Sequence, residues 1–203
     1  MLDTLSDLLK QIALGEDSVL ELEAVVFKGD KVAGPHRDGM ADELAAMANT
    51  ATGVVVLGVD DKTRQILGIP LEKLDLVEDW LRAICNDLIE PPLTCVIRKL
   101  ALPDPEGGEK YVLRVDVPRS LFVHKSPNGS FCRIGSSKRE MKPDALARLF
   151  QQRSQTRLIR FDEQTVPGTS PDDLNPALWR RFGPPRRGDE KAKQNLRMLG
   201  GSW

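Results

Sequence analysis
Apolar residues recur three or four positions apart at Leu2, Leu5, Leu8, Leu9 and Ile12, with Gly15 behind them, which predicts a short opening helix stopped by a glycine. Residues 19–27 are rich in Val, Leu and Phe and bounded by Gly29-Asp30, a first strand with Glu21 and Glu23 inside it. Residues 28–39 read as a polar loop, and residues 41–49 as an Ala-rich helix whose Leu44, Met47 and Ala48 make one apolar face. A buried strand over 53–59, a turn at Asp60-Asp61-Lys62 and a return over 63–67 predict a hairpin. Residues 71–89 repeat at helical spacing and end at Pro91-Pro92, the plainest helix of the chain. Two strands follow over 93–100 and 111–117, joined by a turn-rich stretch at 103–108. Residues 121–123 and 130–134 flank Asn128-Gly129, a strong hairpin signal, and Pro143-Asp144 opens a helix to about Arg157.

This order of helix, strand, helix, hairpin, helix, meander and helix predicts an α+β (mixed α/β) domain: a mostly antiparallel sheet with helices packed on it. The domain is expected to span 1–158. After Phe161 periodicity is lost, Pro and Gly gather, and the residues become basic, so 159–203 is expected to be a partly flexible tail with a short helix near 174–181.

Composition changes this picture little, but charge changes it more. At 203 residues and 40% hydrophobic the chain can bury one core. No apolar run is long enough to span a membrane, and the N-terminus is acidic where an export signal would be basic, so a cytoplasmic protein without a membrane partner is expected. Cys85, Cys95 and Cys132 lack the paired spacing of a zinc site and are expected to be reduced core residues. His36 and His124 are expected in polar loops. Net charge is only −1, yet residues 1–80 carry sixteen acids against seven bases, whereas residues 122–160 carry nine bases against Glu140 and Asp144 alone. That segregation favours a polyanion partner over evenly solvated charge.

Two groups of residues carry candidate chemistry. Glu16 lies where the first helix stops, Glu21 lies on the strand that follows, and Asp60-Asp61 closes the turn after a neighbouring strand. Glu16, Glu21 and the Asp60-Asp61 pair, if clustered, would suit a hard cation, Mg²⁺ or Mn²⁺; Asp60-Asp61 equally has the composition of an ordinary turn. The second group is the basic, hydroxyl-bearing stretch Ser136, Ser137, Lys138, Arg139 and Lys142, suited to a nucleic-acid backbone, with Arg133 joining it if its side of the strand faces outward. Gly135-Ser-Ser-Lys138 is not a Walker loop, so no ATP is expected. With one tyrosine and 5% aromatic residues, backbone and shape recognition is expected over base stacking.

Read together, the motifs resemble the Schlafen, AlbA-type nucleic-acid-binding domain family from about Gly15 to Gln152. Its opening Glu-Ser-x-x-x-Glu-Phe-Lys is similar to Glu16-Asp-Ser-Val-Leu-Glu21-Leu-Glu23, its Ala-Asn-Thr-x-Gly-Gly to Ala48-Asn-Thr-Ala-Thr-Gly53, its Gly-Val-Asp-Asp to Gly58-Val-Asp-Asp61, and its Tyr-x-Arg-x-Gly-Ser-Ser to Phe131-Cys-Arg-Ile-Gly-Ser-Ser137. The resemblance implies binding of RNA or DNA, with Arg133, Lys138 and Arg139 on phosphate. It also implies metal-dependent endoribonuclease activity on structured RNA such as tRNA, with Glu16, Glu21 and Asp61 as the catalytic and metal-holding set. A non-catalytic DNA-binding regulator is the alternative, and a homo-oligomer is compatible with either. Glu23 departs from the pattern's Lys, and Thr52 from the first of its two glycines.

Overall fold
The computed structural model describes residues 4–104 and 107–158, all within the unit Met1–Leu158. The expected tail and its short helix lie outside the described residues.

Helix α1, Leu5–Leu14, starts at Thr4, whose hydroxyl accepts the Asp7 N–H at 3.1 Å, and stops at Gly15, which adopts φ 92°. Strand β1, Leu20–Glu23, is shorter than the pattern predicts. Its parallel partner β4, Gly53–Leu57, runs out at Gly58, and beyond Glu23 no strand remains to pair with. The chain instead forms a small hairpin of β2, Val26–Lys28, and β3, Lys31–Gly34, the latter inside the stretch expected to be loop. Helix α2, Arg37–Thr50, begins four residues earlier than expected. A short 3₁₀ turn at Leu71–Lys73 leads into α3, Leu74–Asp87, and strands β5, Val96–Pro103, and β6, Glu109–Val117, form the expected antiparallel pair.

The main sheet has the order β1-β4-β6-β5, antiparallel except for β1 on β4, so the α+β class holds. The predicted return strand at 63–67 does not form. Both edges of β4 are taken by β1 and β6, the Asp60 carboxylate holds the turn, and Arg64 adopts φ 61°, leaving a single bridge between Val59 and Ile66. The Asn128-Gly129 signal is also only partly realised: it makes a tight Ser126–Gly129 turn, whereas β7, Phe131–Ile134, pairs with β8, Ser137–Glu140, across Gly135 at φ 60°. Helix α4, Pro143–Leu158, closes the described chain.

Alternation along the strands splits the core in two. Leu20, Leu22, Val54, Val56 and Val112 pack with Leu8 and Ile12 of α1; Val55, Leu57, Leu113 and Val115 pack with Met40, Leu44 and Met47 of α2 and Val77, Leu81 and Ile84 of α3. Helix α2 touches the main sheet, α3 and the β7–β8 hairpin, so residues 40–49 are all buried. Its alanines permit that close packing, and Gly53 completes it, since a Cβ there would stand 2.5 Å from the Met47 sulfur. Thr52, by contrast, is exposed and free of positive φ, so its departure from glycine costs the backbone nothing.

The last turn of α2 anchors the second half of the chain. Asn49 accepts the His124 N–H at 2.8 Å and donates to the carbonyls of His124 and Phe131 at 2.8 and 2.9 Å. Thr50 accepts the Arg133 N–H at 2.8 Å. Arg153 of α4 donates to the carbonyls of Asn49 and Ser120. His124 is therefore buried, its Nδ1 donating to the Pro91 carbonyl at 2.7 Å, and is not the polar loop residue expected.

Candidate functional site
Glu21 and Glu23 alternate with Leu20 and Leu22, so if the leucines face α1 the glutamates must face α2. Helix α2 presents Asp42 and Glu43 at that point, both buried. Four carboxyl groups thus crowd one side of an edge strand, with Glu16 at the entry to β1. Burying acids together is unfavourable unless cations join them.

Arg133 is the principal cation. Only 1% of its side chain is exposed; its Nη2 lies 2.5 Å from Glu21 Oε2 and its Nη1 3.0 Å from Glu43 Oε2. It also bonds the main chain: Nε and Nη2 donate to the Asp17 carbonyl at 3.1 and 2.9 Å, and Nη2 to the Leu20 carbonyl at 3.1 Å. The outer edge of β1 is otherwise closed by side chains, Asp17 Oδ1 accepting the Leu20 N–H at 2.8 Å and Glu16 Oε1 accepting the Leu22 N–H at 3.1 Å. Arg133 was expected to meet phosphate if outward-facing. It instead faces inward, engaged by Glu21, Glu43 and the carbonyls of Asp17 and Leu20, and is not presented to a phosphate outside.

Lys138 lies directly opposite Arg133 in the hairpin, and directly opposed residues share a face. Its ammonium sits 3.2 Å from Glu43 Oε1 and 4.0 Å from Asp42 Oδ2 and donates to the Gly39 carbonyl, so it too is turned toward the acids, though about a third of its side chain is exposed. Ser136, Ser137, Arg139 and Lys142 are exposed. Neither Arg139 nor Lys142 enters an ion pair among the described residues.

The crowding leaves an electrostatic signature. Burial first, then the Glu43 charge, raises Glu21 from 4.5 to about 7, against the pull of Arg133. Burial, followed by the charges of Glu16, Glu43 and Asp61, raises Glu23 from 4.5 to about 7, with Lys138 opposing. Glu16 is raised as well, by burial first, with the Leu22 N–H and Arg133 pulling it down and Asp61 and Glu43 pushing it up. A carboxyl whose folded pKa stands above its unfolded value contributes stability that is fully present below about pH 4.5 and is lost as pH rises through about 7. Stability is therefore expected to fall from about pH 5 to about pH 8, and Glu21→Gln, which keeps an acceptor for Arg133 without the charge, to flatten that fall by on the order of 2 kcal/mol. Urea midpoints across this range check it; equal slopes in both proteins would show that Glu21 does not titrate there.

Of the expected cation ligands, Asp61 is exposed in the turn after Val59, close enough for its charge to raise both Glu16 and Glu23. Asp60 is drawn away: its Oδ1 accepts the Thr63 N–H and hydroxyl, both at 2.7 Å, bonds that lower its pKa. The donors are hard oxygens, the right kind for Mg²⁺ or Mn²⁺. Their arrangement does not suit the ion as it stands, because Arg133 already neutralises Glu21, and among the described residues no three His, Cys, Asp or Glu side chains are grouped to hold one. In this conformation the cluster is compensated by the Arg133 guanidinium and the Lys138 ammonium.

The sequence reading missed Glu43, although a signal was present. Glu43 lies three residues after Met40 and four before Met47, within an apolar face, and an acid there needs a buried cation.

The family described as Schlafen, AlbA_2 matches residues 16–142, which takes in the carboxylate cluster, α2 and the β7–β8 hairpin. Among solved structures, the DIP2311 protein from Corynebacterium diphtheriae is similar at 24% identity and a TM-score of 0.46, the match covering 68% of this chain and 24% of that one. The chain thus spans about a quarter of that protein's length. No curated protein matches. No helix among the described residues is long and apolar enough to cross a membrane.

Proposed function
Because the chain belongs to the Schlafen AlbA_2 family, we propose that it binds nucleic acid, RNA in preference to DNA, through the outward side of the β7–β8 hairpin and the start of α4. The observation that carries this reading is the pair Arg139 and Lys142, exposed and outside any ion pair among the described residues, beside the exposed hydroxyls of Ser136 and Ser137. Cations and hydroxyls of this kind hold phosphate and sugar and position a backbone without reading bases. Lys138 stands at the boundary, half turned toward Glu43.

Binding of the full chain to duplex RNA, tRNA and duplex DNA, measured over a salt series, tests the proposal. Affinity should fall steeply as salt rises, with a log–log slope near −0.9 per phosphate neutralised, about −2 to −4 for this surface. Salt-independent binding, or none at low salt, overturns it. Tighter binding to DNA than to RNA would replace the RNA preference with the regulator reading.

Cleavage of structured RNA with Mg²⁺ or Mn²⁺ is the finer part of the proposal, and the geometry sets a condition on it. Glu21 must give up Arg133 before it can act as a ligand. Supporting it are the presence of Glu16, Glu21 and Asp61 at the motif positions and the proximity of Asp61 to Glu16. Incubation with tRNA and Mn²⁺ should give cleavage that Glu21→Ala abolishes while its circular dichroism stays native. Cleavage surviving in that variant removes the site, and no cleavage by the natural chain removes the activity.

A further inference from the structure
Cys85 lies in the last turns of α3 and is buried, whereas Cys95, just before β5, is half-buried. Their sulfurs stand 3.6 Å apart, and the Leu93 N–H donates to the Cys85 carbonyl at 3.0 Å, so the chain between them already returns on itself. Both thiols are free. The intervening residues include Asn86, Leu88, Glu90 and Pro92, which with Lys125 and Pro127 wall a cavity of about 430 Å³.

We propose that Cys85 and Cys95 form a peroxide-sensitive thiol pair that closes to an intramolecular disulfide and fixes this wall. The sulfurs need approach by only about 1.5 Å to reach bonding distance. Cys95 is the more accessible of the two and reacts first: its sulfur attacks a peroxide oxygen, an S–O bond forms, the O–O bond breaks, and the departing hydroxide leaves as water with the thiol proton. The Cys85 sulfur then attacks the sulfenic sulfur; the S–S bond forms, the S–O bond breaks, and the second hydroxide leaves as water with the Cys85 proton. Two thiols lose two electrons in all, and one hydrogen peroxide becomes two waters. The Cys85 hydrogen bond lowers the Cys95 pKa, which favours this order.

The full-length reduced chain is treated with graded hydrogen peroxide, alkylated under denaturing conditions and mapped without reductant. The expected product is a linked Cys85–Cys95 peptide pair with Cys132 still alkylated, a thermal midpoint raised by about 5 °C, and reversal of both by dithiothreitol. In Cys95→Ser, whose site is half-buried and tolerant, Cys85 should stay alkylatable after peroxide and the midpoint shift should vanish. Pairing that involves Cys132, sulfinic or sulfonic acid at Cys95 in the natural chain, or full alkylation of both cysteines after treatment would each overturn the proposal.

Discussion
Arg133→Met is expected to destabilise the folded unit by about 3–5 kcal/mol, the cost of removing one partner from a buried ion network. Methionine fills much of the volume but supplies no hydrogen bond. It would leave Glu21 and Glu43 without their guanidinium and the carbonyls of Asp17 and Leu20 without that donor. Arg133→Lys should recover little, because three donors on a single nitrogen cannot span β1, α2 and the Asp17 carbonyl together. Glu21→Gln should be mild, and stabilising at about pH 8, because it removes one of two acids competing for one arginine. Urea unfolding followed by circular dichroism separates these outcomes; an Arg133→Met loss below about 1 kcal/mol would mean that the hairpin is held by its backbone contacts alone.

The double variant Arg139→Glu/Lys142→Glu is expected to weaken nucleic-acid binding about a hundredfold at low salt and to reduce the magnitude of the salt slope by about 2, with urea midpoints unchanged. Both side chains are exposed and outside any ion pair among the described residues, so reversing them removes phosphate contacts without disturbing the core. The contrast with Arg133 is the useful one. A variant at Arg133 would lose binding together with the fold, and the exposed pair would lose binding alone. Unaltered affinity in the double variant would move the nucleic-acid surface away from the hairpin.

How far the sequence could be read depended on whether a feature was local. The helix at α3, the β5–β6 pair and the helix opened by Pro143 follow from periodicity and breakers close by, and all are present. The strand expected at 63–67 failed because pairing depends on which edges are already taken, a property of β1 and β6 that the residues themselves do not carry. The facing of Arg133 was left open for a related reason. In a two-stranded ribbon, inside and outside alternate, so one choice of turn decides every residue; centring the hairpin on Gly135 rather than on Asn128-Gly129 places Arg133 opposite Lys138 on the inner face and Cys132 opposite Arg139 on the outer. Glu16 and Glu21 were legible as carboxylates at the entry to and within β1, and Asp61 as a residue of the turn after β4, whose charge reaches Glu16 and Glu23. Their electrostatic state was not, because it depends on Glu43 and Arg133, which arrive from a helix and a distant hairpin.

The reach of Asn49 also bears on the order of assembly. Its side chain holds main-chain groups 75 and 82 positions further along, and Thr50 beside it holds one 83 positions away. These contacts close long loops, which is entropically costly until the final turn of α2 is in place to receive them. Residues 121–140 therefore dock onto a receptor that the N-terminal half must already have built. On a ribosome, the Asn49 side chain lacks these partners until residues 124–133 have been made, so the β7–β8 hairpin is expected to dock only after α2 has formed.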